Sequence, residues 1–327
     1  MKIIFLGTPH FAENVLQKLI DSRHQVVGVV CQPDKLVGRK QILEAPPTKL
    51  LAQKYNIPVF QFAKIRLEGV EPLKQLNADV MVTAAYGQML SQDVLDITPN
   101  GVINVHGSVL PRYRGSSPIQ WSLINGEKTL GVTILKTQIG MDDGPILHTQ
   151  EFEIDRKDTV DSLMEKISLM GADLLIKSLD EIENKTAVFV PQDESKATKC
   201  TMLKKEQARI DFGQPAIKVE NFVRGLESWP VAYTFHNGVM LKIYKAYAMQ
   251  PSEYFSQFAI SQEPLERAKM EVAPACQVLF VSSKKGIFVK CYQSVLRLDL
   301  LQLEGGKILD GKQMANGNKI KMEDILY

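Results

Sequence analysis

The sequence predicts an α/β chain in two parts: a Rossmann-like, mostly parallel sheet covered by helices, followed by a small OB-like β-barrel. Three observations predict it. The first half alternates short, continuously apolar runs with amphipathic helical segments, as strands of a parallel sheet buried on both faces do. The last third carries five β-like runs, with Asn237-Gly238 and Lys285-Gly286 as turn signals between paired runs. At 327 residues the chain also exceeds the roughly 250–300 residues that one core usually supports.

Each element follows in order. The apolar run 2–6 ends at Gly7, and Pro9 opens a helix that carries Phe11, Val15, Leu16 and Leu19 on one face. Residues 25–31 form a second β-branched run. A long loop, 32–46, precedes a helix at 48–55. Runs 79–84 and 101–105 read as further buried strands, and 131–136 and 146–154 as edge strands. Asp158 caps a long helix whose stripe is Val160, Leu163, Ile167, Met170 and Leu174, ending near Asn184. Residues 191–207 are polar and Lys-rich without apolar periodicity. The expected division is therefore a catalytic domain at 1–189, a linker at 190–207, a barrel domain at 208–312 and a tail at 313–327. The polar stretch 251–273 reads as an insertion or barrel loop.

Composition narrows the class. No apolar run reaches the roughly 18 residues of a spanning helix, and the run at 2–6 is too short for a secretory signal. Cys31, Cys200, Cys276 and Cys291 are scattered, with no CxxC pair to suggest zinc or a disulfide framework. A cytoplasmic location with no membrane contact is expected. The charge balance is −2 over residues 1–189 and +4 over 190–327, which permits a polyanionic partner without forming a general nucleic-acid-binding tail.

Ligands of an open parallel sheet bind beyond the carboxyl ends of its strands. Gly7-Thr8-Pro9 lacks GxGxxG, and Pro9 has no N–H for a pyrophosphate, which argues against a nicotinamide dehydrogenase. Asn104 and His106 are two apart, so on a strand they face the same side and can offer donors to a developing oxyanion. Farther on, Gly140-Met141-Asp142-Asp143-Gly144 is either a solvated turn or the source of a carboxylate that orients His106. Spacing alone leaves that open, since 36 positions separate His106 from Asp142.

The string Asn104-x-His106-x-Ser108-x-Leu110-Pro111-x-x-Arg114-Gly115, with Gly140-Met141-Asp142 downstream, resembles the folate-dependent formyltransferases. GTPHFA at 7–12, QPDKLVGR at 32–39, AYGQML at 85–90 and SSPIQW at 116–121 narrow the resemblance to the methionyl-tRNA formyltransferases. ARIDF at 208–212 and the stretch 223–234 around Trp229-Pro230 extend it to about residue 250.

The resemblance implies transfer of a formyl group from 10-formyltetrahydrofolate to the α-amino group of initiator methionyl-tRNA. It implies that Asn104 and His106 bind the developing oxyanion, and that Asp142 holds His106 and helps move the amine proton. It implies a folate pocket lined by Ser108, Val109, Leu110 and Pro111, by Tyr86, Gly87 and Leu90, and by Ile139 and Met141. It implies tRNA contacts from Lys35, Arg39 and Lys40 in loop 32–46 and from Lys204, Lys205 and Lys242 in the second domain. No metal and no protein partner are expected. The sequence departs from the family after Arg39, where Lys40-Gln41-Ile42 replaces a Gly-Lys-Lys.

The alternatives are a sibling that formylates an amino sugar nucleotide or hydrolyses formyltetrahydrofolate, and a catalytically silent RNA-binding relative. Residues 208–303 favour tRNA over the siblings, and the intact Asn104, His106 and Asp142 argue against the silent relative.

Overall fold

A computed structural model describes residues 1–37, 41–258 and 261–327. The described chain divides into two compact units, the first formed by residues 1–118, 129–154 and 162–201, the second by 119–128, 155–161 and 202–327.

The first unit opens with β1 (Lys2–Gly7), α1 (His10–Ile20), β2 (Gln25–Cys31), β3 (Lys35–Val37) and β4 (Ile42–Glu44). Next come α2 (Pro47–Lys54), β5 (Val59–Gln61), α3 (Ile65–Glu68), α4 (Val70–Lys74) and β6 (Val80–Ala84). α5 (Gln92–Leu95), β7 (Val102–His106) and the short β8 (Arg114–Gly115) follow. After α6 (Pro118–Ile124), which from residue 119 belongs to the second unit, come β9 (Thr129–Lys136), β10 (Ile146–Glu153), α7 (Val160–Glu183) and β11 (Lys199–Cys200).

Its seven-stranded sheet has the order β10-β9-β7-β6-β1-β2-β5. β7, β6, β1, β2 and β5 are mutually parallel, while β9 runs antiparallel to β7 and to β10. The continuous apolar runs occupy the middle: Ile3–Leu6 and Val80–Val82 are wholly buried. α1 lays Ala12, Val15, Leu16 and Leu19 on the sheet, all at 0% exposure. α7 packs against β7 and β9 through Gly171, where an added Cβ would lie 2.7 Å from Val105 Cγ1 and 2.9 Å from Val132 Cγ2. Any larger residue there would push the helix off the strand that carries Asn104 and His106.

Several expectations change. β9 is not an edge strand; it lies between β7 and β10. Thr133 on it is fully buried, with its hydroxyl donating to Ser108 O at 2.7 Å and accepting from Leu110 N–H at 3.1 Å. Loop 32–46 contains a β3–β4 hairpin, pairing Leu36 with Leu43.

In the second unit, α8 (Ala216–Gly225) precedes β12 (Ala232–His236), β13 (Val239–Met249), α9 (Pro251–Phe255) and α10 (Glu263–Val272). β14 (Val278–Ser282), β15 (Gly286–Cys291), β16 (Ser294–Leu303), β17 (Leu309–Asp310) and α11 (Gly311–Asn316) complete it. The antiparallel order is β12-β13-β16-β15-β14, with β17 beside β16. Residues 324–327 bridge its two edges. Leu326 N–H bonds Cys276 O at 3.0 Å, and Tyr327 exchanges two backbone bonds with Phe235. The residues set apart as a tail thus close the sheet, and Ile320 and Leu326 are fully buried in its core.

The stretch 251–273 is not a bare barrel loop. It folds as α9 and α10, whose Tyr254, Phe255 and Met270 form a second small core with Leu279, Phe288 and Val295. Residues 190–201, read as linker, are likewise bonded into the first unit: Val190 and Ile146 exchange bonds at 2.8 Å, and β11 pairs with β8.

Candidate active site

β7 delivers Asn104 and His106 to the carboxyl end of the sheet, two residues apart and on one side as alternation requires. The chain between β9 and β10 returns Asp142 to them. Asn104 Nδ2 donates to Asp142 Oδ1 at 3.2 Å, and His106 Nδ1 lies 3.6 Å from Asp142 Oδ2. The other ring nitrogen, Nε2, lies 3.0 Å from the carbonyl of Tyr113. His106 is 6% exposed, so these protein groups set its ring orientation.

Asp142 is held by its own backbone as well as by its neighbours. It adopts φ = 51°, the left-handed region that aspartate tolerates better than most residues. Its Oδ2 accepts the Gly115 N–H at 2.8 Å. Gly115 itself has φ = 116°, and a Cβ there would run into the Cys200 carbonyl of β11. Glycine at 115 is therefore what lets β8 approach both β11 and the carboxylate. An amide, an imidazole and a carboxylate converge at one strand end, able to stabilise an oxyanion and receive a proton.

The sequence pattern of the formyl transferase family matches residues 1–179, and that of the formyl transferase C-terminal domain matches 202–319. A methionyl-tRNA formyltransferase from Caldicellulosiruptor saccharolyticus is 40% identical over 331 residues, spanning 100% of each chain. One from Ruminiclostridium cellulolyticum is 39% identical over 321 residues, 98% of this chain and 97% of that one. The chain belongs to the methionyl-tRNA formyltransferase family. Among solved structures, HypX from Aquifex aeolicus in complex with tetrahydrofolic acid aligns with a TM-score of 0.65 and 15% identity, over 98% of this chain and 48% of that one. That likeness concerns the fold alone.

Within this formyltransferase fold the other expected site residues fall into distinct environments. Ser108 is fully buried, with Oγ donating to Arg112 O at 2.7 Å. Leu110 is buried too, while Val109 and Pro111 are half-buried. The side chains of Tyr86 and Leu90 lie in the core with Ile4, Leu6 and Phe62. Burial, with smaller contributions from Cys31 and Glu68, pushes the Tyr86 phenol well above its ordinary pKa. What Tyr86 presents is its carbonyl, which accepts from Thr8 Oγ1 at 3.2 Å and Gln32 Nε2 at 3.1 Å. Gly87, Ile139 and Met141 are exposed, the last two at 60% and 46%.

Of the expected cations, Lys35 is exposed on β3, and Lys204 and Lys205 are exposed at the start of the second unit. Lys242 is half-buried on β13, opposite Tyr233 and Gln302. Arg39 and Lys40 lie outside the described residues.

Several groups around the trio escape the sequence reading. The Tyr113 carbonyl and Gly115 N–H act through main chain, which side-chain identity does not reveal. Arg114, 4% exposed, bonds Gln192 and Glu194 from the segment read as linker. The Glu194 bond holds the Arg114 guanidinium above its ordinary pKa. Cys200 Sγ donates to Tyr113 O at 3.5 Å, and burial, with the charge of Asp142, pushes its thiol up to about 12. The one available signal was Arg114 itself, a cation inside a motif whose partners had to lie elsewhere.

Proposed function

We propose that this chain transfers the formyl group of 10-formyltetrahydrofolate to the α-amino group of methionine carried on initiator tRNA, in the cytoplasm. The observation that carries the reading is the convergence of Asn104, His106 and Asp142, 3.2 and 3.6 Å apart through side chains, in a chain alignable end to end with methionyl-tRNA formyltransferases.

The chemistry follows from what each group has left to offer. Attack of an amine on a formyl carbon places negative charge on the oxygen and positive charge on the nitrogen. Asn104 uses one amide N–H on Asp142, leaving the second for the oxygen. In its doubly protonated form His106 adds a donor at Nδ1, beside the Asp142 carboxylate. Each well-placed donor of this kind typically contributes about 3–4 kcal/mol to the transition state. The Asp142 carboxylate faces both groups and receives the amine proton, directly or through water; collapse of the intermediate breaks the bond between the formyl carbon and N10, and the proton passes to N10 as tetrahydrofolate leaves.

Two features fit a reduced folate as formyl donor. Ile139 and Met141 expose apolar surface on either side of Gly140 beside the trio, suited to a flat ring. Asp143 Oδ1 is buried without a hydrogen-bond partner among the described residues, an acceptor that a pterin N–H would satisfy. Ser108–Pro111 and the backbone of Tyr86 and Gly87 complete the proposed pocket, with Leu90 supporting it from the core. Lys35, Arg39, Lys40, Lys204, Lys205 and Lys242 are proposed to meet tRNA phosphates. No helix among the described residues is long and apolar enough to cross a membrane.

The test is direct. Incubating the protein with 10-formyltetrahydrofolate and charged initiator tRNA should yield formyl-methionine on the tRNA. Productive transfer only to an amino sugar nucleotide, or only to water, would replace this reading with one of the sibling activities.

A further inference from the structure

We infer that Gln192 is a positioning residue for formyl transfer, acting through the main chain of Asp142; this rests on the function proposed above. Gln192 belongs to the polar stretch that follows α7, yet all four of its hydrogen-bonding capacities are used within the first unit. Its Nε2 donates to Asp142 O and to Gly144 O, both at 2.7 Å. Its Oε1 accepts from Arg114 Nε at 3.0 Å and Arg114 Nη2 at 2.8 Å. An amide with two donors and two acceptor lone pairs has nothing left over.

These bonds close a circuit. Gly115 N–H grips the Asp142 side chain, Gln192 grips the Asp142 carbonyl, and Arg114, the residue before Gly115, grips Gln192. The cation at one end polarises the amide and strengthens its donation at the other. Both flanks of Gln192 are pinned as well, by the Val190–Ile146 bond pair and by the pairing of β11 with β8. Asp142 needs such support because its left-handed backbone is not self-maintaining, and its carboxylate can face Asn104 and His106 only while that backbone is kept.

Glutamine is the residue this requires. A glutamate would keep the Arg114 contact but turn an acceptor toward two carbonyl oxygens. A methionine of similar length would lose both ends. A misplacement of about 1 Å at a reacting group costs on the order of 100-fold in rate.

Steady-state formylation of charged initiator tRNA, measured for wild type, Gln192→Glu, Gln192→Met, Asp142→Asn and the Asp142→Asn/Gln192→Glu double variant, tests the inference. Gln192→Glu should lower kcat by about 30- to 100-fold. Its KM for the folate and for tRNA should stay within about twofold of wild type, and circular dichroism with active-site titration should show a fully folded, fully competent population, since an unfolded fraction would also lower apparent kcat at constant KM. The double variant should be no slower than Asp142→Asn alone, because two residues acting as one unit are not additive. If Gln192→Met fails to fold, Gln192→Glu, which keeps the Arg114 bonds, carries the comparison. A Gln192→Glu kcat within about threefold of wild type overturns the inference, as does a double-variant loss equal to the product of the single losses. Wild type that forms no formyl-methionyl-tRNA overturns the underlying function instead.

Discussion

The carbonyl of Tyr113 lies 3.0 Å from Nε2 of His106, and that contact decides which ring nitrogen is left for chemistry. A carbonyl can only accept, so Nε2 carries the proton and Nδ1 is the nitrogen that faces Asp142. Tyr113 is itself fixed in a left-handed conformation, φ = 60°, with its N–H on Thr198 Oγ1 at 2.8 Å.

Replacing the ring should remove the donor that Nδ1 offers in the doubly protonated form without dismantling the loop. His106→Ala is expected to lower kcat for formyl transfer by about 100- to 1,000-fold. Circular dichroism should show an unchanged fold. Near-normal turnover in a folded variant would show that the imidazole does not touch the reacting atoms.

Gly115→Ala should be costly in two ways. Alanine at φ = 116° is strained, and its methyl would meet the Cys200 carbonyl. A loss of at least about 2 kcal/mol in urea denaturation is expected. Turnover should fall with it, because the Gly115 N–H moves away from Asp142. Stability equal to wild type would mean that β8 and β11 can separate freely.

The thiols should react in a set order. Burial pushes Cys31 up to about 11 and Cys291 up to about 12, and Cys200 stands near 12 as well. Raised values leave little thiolate at pH 8. Cys276, only partly buried, should be alkylated first by iodoacetamide in the native protein. Peptide mass spectrometry that finds Cys31 or Cys291 modified as fast as Cys276 would contradict this packing.

Acid should weaken the first unit through His24. Its side chain is wholly buried, and burial, followed by the neighbouring α-ammonium of Met1, holds the imidazole below its ordinary pKa. The unfolded chain takes up a proton near pH 6.5, whereas the folded chain resists it. Stability is therefore full above about pH 6.5 and declines as the pH falls from there toward the lower folded value. Denaturation midpoints at pH 7.5 and 5.5 should differ less in His24→Gln than in wild type. An equal difference would remove His24 from the acid response.

Much of this architecture was legible because its signals are local. β1 and β6 are unbroken apolar runs, and the stripe of α7 repeats at three and four residues. Asn104 and His106 were readable as neighbours from strand alternation. Asp142 was not, since a left-handed turn and a main-chain donor at Gly115 bring it there, and the family resemblance had to supply the link. β9 was read as an edge strand because its run alone does not show that β10 covers its outer side. Gln192 was hidden because its polar stretch resembles a tether, and residue type does not reveal that its amide faces carbonyls rather than water. In 251–273 the charged residues of α9 and α10 masked the inward Tyr254, Phe255 and Met270.

The second unit draws on residues 119–128 and 155–161 as well as on 202–327. Arg156 bonds the buried Glu220 at 2.8 and 3.1 Å and reaches Ala248 O at 2.8 Å, while Trp121 and Ile124 pack on the core. A fragment cut at residue 202 would strand Glu220, 3% exposed, without its counter-ion and uncover apolar surface beside α8. The unit is therefore not a portable cassette. A chimera that trades it for the corresponding unit of a relative has to carry three stretches of chain, and two of those are inherited with the other half of the gene.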